Sequence, residues 1–470
     1  MHANTAVLIV GAGPTGLTLA VDLARRGVAF RIVERAPEPA AGSTAVGSKG
    51  KGLQPRTQEV FDDLGVIGPI LAAATPYPPL RVRIGRVPIW QARMHRPAAA
   101  TDAVPFPAVL MHPQWRTEAV LRERLAELGG RVEQGTALTG FEQDADGVTA
   151  VLGTGETLRA RYLVAADGGR STVRKALGIG FTGETREEQR MTLGDVRAEG
   201  LDRDHIHVWV RPGKGMVALY PMAGTDTFQM LASLKPGATP EQTLSEYQRI
   251  LAERSMVRGV RLTELLWSSL YRVNVRLADR YRSGRVFLAG DAVHVHPPTG
   301  GQGLNTGVQD AYNLGWKLAR VLAGAPEMLL DIYEEERRPV AARVLGLSVD
   351  LLDKKSYKRD EDTYQLSLSY RGGSLARRGG DRVPDGPLPL ADGTRARVFD
   401  LLRGPHFTLL SPDPAPRVVG GPRIRQMRHV RAYAPAEPYG GERYTLVRPD
   451  GYVGISTSSA DELAAYLDMV

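Results

Sequence analysis

The chain has 470 residues, 43% hydrophobic and 24% charged, with 60 Lys+Arg against 52 Asp+Glu for a net charge of +8. That length predicts two or three domains, and the scattered charge forms no basic block of the kind that grips nucleic acid. The absence of cysteine removes disulfides, thiolate metal sites and a cysteine nucleophile; no apolar run reaches the roughly 18 residues needed to span a bilayer, and no signal-peptide pattern is read at the start, so a cytoplasmic protein without nucleic-acid or membrane partners is expected.

Ala6 to Val10 (AVLIV) reads as a short buried strand. GAGPTG follows, then the helix LTLAVDLARRG closed by Gly27, then the strand AFRIVER from Ala29 to Arg35: a βαβ unit with parallel strands. A helix is expected over Thr57 to Leu64, stopped by Gly65. From Pro76 to Pro113 proline becomes frequent, and the chain is read as visiting another domain. RTEAVLRERLAELGG resumes as helix, and VTAVLGTGETLRARYLVAADGG is a hairpin feeding another buried strand. HIHVWVR, GMVALYPM, TFQMLASL and YRVNVRLADRY read as strands of an antiparallel sheet, with His205, His207 and Trp209 on one face. A helical stretch from Asp331 to about Lys355 is expected to be interrupted at Pro339. The expected organisation is a discontinuous first domain (1–75, 113–180 and 282–370), an inserted domain (76–112 and 181–281) and a small C-terminal α/β domain (385–470).

Gly11, Gly13 and Gly16 stand between strand and helix as G-x-G-x-x-G. The first permits a tight turn, the second lets a pyrophosphate approach the backbone, and the third lets the helix pack on the strand, with the helix start facing the phosphate. Glu34 ends the second strand; its carboxylate can accept hydrogen bonds from a ribose diol and would repel a 2′-phosphate, so the ligand is FAD or NAD rather than NADP. Two more strand-end aspartates, Asp167 in AADGG and Asp291 in AGDAVHVHPPTGGQG, must touch other parts of that large ligand or a second one. No second G-x-G-x-x-G is seen, so a further dinucleotide would have to bind without a Rossmann unit. His294 and His296 lack an evident third ligand, and no metal site is expected. His207 and Trp209 are candidate walls of a substrate pocket. Trp90, Met222 and Met230 read as core residues first and ligand contacts second.

The trio of GAGPTG, AADGGRSTVR and GDAVHVHPPTGGQGLNTGVQDAYNLGWKLA, supported by GKGLQPRTQEVFDDLGV and LVRPDGYVG, resembles the single-component, FAD-dependent aromatic hydroxylases, the class A flavoprotein monooxygenases, in the branch acting on phenols, polyketides and antibiotics. The resemblance implies an α/β fold: a Rossmann-like FAD-binding domain, an inserted β-sheet substrate domain and a C-terminal thioredoxin-like domain, here without cysteine. It implies non-covalent FAD, NADPH or NADH as a transient reductant, O2 and a small aromatic substrate, and it allows a homodimer. The implied reaction is hydroxylation of a phenolic or polycyclic aromatic ring through a flavin C4a-hydroperoxide. Baeyer–Villiger oxygenation, or a non-catalytic flavoprotein that sequesters a hydrophobic compound, are the alternatives. The flavin carries the chemistry, and no general base is named. Implied FAD contacts are Gly11, Gly13, Pro14, Thr15, Gly16, Glu34, Arg35, Gln114, Leu138, Asp167, Asp291, Gly301, Gly303, Leu304 and Asn305, with Pro298 stiffening the segment over the ring. Lys51, with Lys49 and Arg56, is a cation that could meet the pyrophosphate. Substrate contacts are sought at His207, Trp209, Met222 and Trp90.

Overall fold

The computed structural model describes residues 3–38, 50–95, 98–297, 301–354, 360–376, 378–414, 427–432, 439 and 441–470. Strand β1 (Ala3–Val10) carries four consecutive buried residues, Val7 to Val10, the pattern of a strand covered on both faces. Helix α1 (Pro14–Arg25) follows, with Pro14 in its first turn and Gly27 just past its end at φ 70°. Strand β2 (Phe30–Val33) and strand β3 (Thr157–Ala165) flank β1 and run parallel to it, with Val10 opposite Val33 and Ala165. All the loops that leave these strands therefore emerge at one end, where ligands of such sheets bind.

Strands β4 (Phe181–Glu199), β5 (Ile206–Arg211), β6 (Gly215–Pro221), β7 (Thr227–Leu234) and β8 (Arg261–Ala278) form a second sheet in the order β8-β4-β7-β6-β5. Every pair along that path is antiparallel. The strands named from the sequence thus pair antiparallel as expected, and the sheet is extended by a strand the sequence did not reveal: Leu80–Ile84 joins β5 in parallel and carries Val87–Ala92 at the edge. Those strands arrive from the first domain and not through a hairpin, so nothing forces antiparallel pairing. Helix α2 (Leu244–Ser255) covers one face, packing Tyr247, Ile250 and Leu251 against Trp209, Val217, Leu219, Phe228 and Met230.

The chain then returns. Strand β9 (Val286–Leu288) pairs in parallel with β3, and helix α3 (Gly303–Leu322) packs along α1. Helix α4 (Asp331–Asp353) runs through Pro339, where the sequence predicts an interruption. The proline forfeits one hydrogen bond, but buried residues continue on both sides, from Ile332 and Tyr333 to Val340, Ala341 and Val344, and tertiary packing outweighs the loss. The C-terminal part is a thioredoxin-like four-stranded sheet. It contains β10 (Phe407–Ser411), β11 (Met427–Arg431), β12 (Tyr444–Val447) and β13 (Val453–Thr457), in the order β11-β10-β12-β13, with only the first pair parallel. Among the described residues no helix is long and apolar enough to cross a membrane.

Candidate active site

The two ends of the glycine turn are crowded and its middle is open. A Cβ on Gly11 would stand 2.4 Å from Ala166 O, and one on Gly16 would stand 1.9 Å from Gly11 O. Around Gly13 a Cβ would meet nothing within 4 Å among the described residues. The first turn of α1 has neither a side-chain cap nor an acidic residue, which leaves its N–H groups available to an anion. Glu34 accepts hydrogen bonds from Ala12 N and Ala36 N, both at 2.9 Å, so its carboxylate is held beside the turn. Arg35 next to it is exposed, and Leu138 is half-buried at the start of the strand Leu138–Gln143. Thr15 points into the protein, its Oγ1 filling the space that a Cβ on Gly290 or Gly307 would need.

Asp167 follows β3. Its Oδ2 accepts from Thr172 N at 2.8 Å, while its Oδ1 is buried with no hydrogen-bond partner among the described residues. Asp291 lies exposed in the short turn Gly290–Ala292 after β9. Behind that turn, Asp310 accepts from Gly290 N at 3.1 Å, His294 Nε2 at 2.8 Å and Arg337 Nε at 2.8 Å. Burial works to raise the Asp310 pKa, but Arg337 and His294 outweigh it and hold the carboxyl below its ordinary value. His294 is thus spent on structure. His296 donates from Nδ1 to Pro297 O at 2.8 Å, and burial pushes its pKa down to about 4, so it is neutral.

Helix α3 also starts without a side-chain cap. Gly301 has φ 62°, and among the described residues a Cβ there would meet only Gln54 Nε2, at 3.9 Å. Asn305 accepts from Gln54 N at 2.8 Å and donates to Gly52 O at 2.9 Å and Gly301 O at 2.7 Å. A Cβ on Gly50 would come 3.0 Å from Leu304 Cδ1, and Gln114 accepts from Gly50 N at 2.9 Å. Residues 50–54 are therefore stitched to the first turn of α3. Pro298 and Lys49 lie outside the described residues. An open glycine turn, two uncapped helix starts, a carboxylate at the second strand's end and an unpartnered Asp167 oxygen fit an extended flavin dinucleotide.

Several expected contacts fall elsewhere. Lys51 does not point to the glycine turn: its Nζ donates to Gln229 and stands 4.2 Å from the centre of the Tyr220 ring, both on the second sheet. Arg56 is buried against Glu59 Oε2 at 2.8 Å and Asp450 O at 2.7 Å, tied to the C-terminal domain. His207 lies opposite Leu219 and Trp209 opposite Val217, on the face under α2 and not on a pocket. The His207 ring stacks on Trp209 at 5.8 Å and lies 2.8 Å from both Arg83 Nη1 and Asp202 O. Burial lowers its pKa first, opposed by Asp202. Met222 is fully buried, and Trp90 stands at 47% exposure on the edge strand. Alternation separates two faces but does not say which one a helix will cover. The other face carries Val208, Ala218 and Tyr220, packed with Tyr77, Met94 and Met111, and Gln229 reaches from it to Lys51. Sequence reasoning missed Tyr77, Tyr220, Gln229 and Asp195; the strand pattern contained Tyr220 and Gln229 only as the complement of the face it favoured, and gave no signal for Tyr77 or Asp195.

Residues 4–348 match the FAD binding domain family, and residues 376–470 match the aromatic-ring hydroxylase C-terminal family. The chain belongs to the FAD-dependent aromatic-ring hydroxylases. A flavin-dependent monooxygenase of Mycobacteroides abscessus is 46% identical over 99% of both chains. The 12-dehydrotetracycline 5-monooxygenase/anhydrotetracycline 6-monooxygenase of Streptomyces rimosus is 35% identical over 95% of this chain and 94% of its own. Among solved structures, a ternary complex of aklavinone-11 hydroxylase with FAD and aklavinone superposes with TM-score 0.83 at 28% identity, covering 99% of this chain and 98% of that one. This hydroxylase is an NAD(P)H-consuming flavoprotein monooxygenase.

Proposed function

We propose that this monooxygenase hydroxylates a phenolic or polycyclic aromatic ring held between the inner face of the second sheet and the start of α3. The observation that carries the reading is the stitching of residues 50–54 to α3 through Asn305, with Lys51 reaching from that seam to Tyr220 and Gln229. One segment thereby touches both the flavin-side helix and the sheet. The tetracycline and aklavinone hydroxylases named above act on fused-ring compounds, which supports the same substrate class here.

Bound FAD, once reduced, supplies the activation of O2. The chain's own residues do the rest. Gly13, the start of α1 and Glu34 hold the nucleotide end. Gly301 keeps the approach to α3 clear, so the N–H groups of that helix start can stabilise negative charge on the ring, while Gly303 leaves room for His296, whose Nε2 would stand 3.2 Å from a Cβ there. Tyr77, Met94 and Tyr220 form an apolar wall that limits water at the reacting atoms. NADPH or NADH docks transiently. We place the enzyme in the cytoplasm, without a nucleic-acid partner.

The test is to reconstitute the enzyme with FAD and screen polycyclic phenols for stimulated NADPH oxidation under labelled O2. Products should carry one oxygen atom from O2 on an aromatic carbon. Ring-expanded esters would favour Baeyer–Villiger chemistry, and NADPH consumption that yields only peroxide with every phenol would sink the hydroxylase reading.

A further inference from the structure

Lys51 has no task in holding the nucleotide. Its backbone is fixed: Lys51 O accepts from His112 N at 2.9 Å, Gly50 N donates to Gln114, and Gly52 O accepts from Asn305. Its side chain crosses to the sheet, donates to Gln229 and faces the Tyr220 ring. Asp195, only 2% exposed, accepts from Gln229 Nε2 at 3.4 Å and so acts on the lysine across the amide. Lys51, Tyr77, Met94 and Tyr220 all keep partial solvent access. Burial pushes the Lys51 pKa down to about 8, with Asp195 opposing, so the group is predominantly an ammonium at neutral pH. A cation answered by an amide oxygen and a ring face, beside an aromatic wall, is poised for an anionic oxygen of a ligand.

We propose that Lys51 pairs with the ionised phenolic oxygen of the substrate and thereby selects rings that carry an acidic hydroxyl. The proposal rests on the reading above. The phenol O–H bond breaks, its proton passes to solvent, and the oxygen keeps the electron pair opposite the Lys51 ammonium. No electrons are exchanged with the protein. The phenolate pushes charge into the ring, which favours attack by an electrophilic oxygen. Gln229 holds the ammonium until the substrate enters, and Asp195 orients that amide.

The test uses the FAD-loaded enzyme and 4-nitrophenol, whose visible absorbance separates phenol from phenolate. The wild type should bind the phenolate and lower the probe's apparent pKa by at least about one unit, roughly tenfold in the ionisation constant. Lys51→Arg should keep most of that shift. Lys51→Met and Lys51→Gln should abolish it and weaken phenolate binding at least tenfold, with FAD affinity unchanged. Binding of the neutral phenol by the wild type, no binding of the probe, or a shift retained in both neutral variants would each overturn the proposal. A wild type that ionises the probe through Lys51 but incorporates oxygen into no phenol would sink the hydroxylase reading and leave the phenolate site standing.

Discussion

Lys51 and Lys317 are both withdrawn from water, and burial pushes both ammonium groups down to about 8, yet their surroundings are of opposite kinds. Lys317 lies where α3, α4 and the C-terminal domain meet. It reaches Glu336 Oε2 at 2.7 Å, and Glu336 also accepts from Arg448, which in turn holds Asp450. Asn313 and Trp316 complete the network, donating to Asp450 at 3.2 and 3.1 Å. Every charge there has an opposite charge in contact, and the side chains are fully enclosed. Lys51 meets an amide and a ring, with its carboxylate one residue away and part of its surface open. Burial alone therefore does not mark a working lysine; what distinguishes the two is whether the charge has been answered by the protein.

If that distinction is right, disrupting the Lys317 network should cause the largest loss. Arg448→Ala should cost about 3–5 kcal/mol at neutral pH, because Asp450 is left buried without its cation and Glu336 keeps only Lys317; chemical denaturation measures it. Burial favours raising the Glu336 pKa, but Arg448 and Lys317 prevail and hold it below its ordinary value. That stability is present above the ordinary carboxylate pKa and is lost as pH falls through the folded one. The gap between wild type and Arg448→Ala should therefore narrow below about pH 4. A gap that stays constant with pH would show that packing, not charge, holds the joint.

Lys317→Met should cost less, about 1–3 kcal/mol, since Arg448 still answers Glu336. Unchanged stability would remove the distinction between the two lysines from one side.

Lys51→Met is expected to act in the opposite direction. The folded pKa of Lys51 lies below its unfolded value, so the cost of keeping it charged is present at pH 7 and is relieved between about pH 8 and 10.5. The variant should gain about 1 kcal/mol at pH 7, and the gain should fade toward pH 10.5. A loss of stability at pH 7 would mean that Gln229 and Tyr220 satisfy the ammonium fully.

The smallest effect is expected at Val87. Being 63% exposed on an edge strand, it should tolerate Val87→Ser within about 0.5 kcal/mol, read by thermal melting. A larger loss would place that edge against something else in solution.

What could be read in advance follows from which interactions are local. GAGPTG, Gly27 and the placement of Glu34 after a second strand are set by steps of a few residues, where φ, capping and strand period leave few choices. His207 and Trp209 show the limit: the alternation placed them on one face, but α2 covers that face and buries them. Lys51 shows it again, since nothing within its own segment says whether its side chain turns toward Gly13 or toward Gln229.

The sequence by itself determined the dinucleotide turn, the parallel βαβ start, the strands of the second sheet over 206–211, 215–221 and 227–234 and the resemblance to flavin hydroxylases, because these rest on backbone conformation and on motifs that lie within short stretches. Only the tertiary structure decided which face of the second sheet α2 covers, that α4 continues through Pro339, that Arg56 and Lys317 belong to the C-terminal joint, and that Lys51 meets Gln229 and Tyr220. The Lys51–Gln229, Arg56–Asp450 and Arg448–Glu336 contacts join residues more than a hundred positions apart, and such pairings are selected by packing and charge satisfaction over the whole molecule rather than by any local preference.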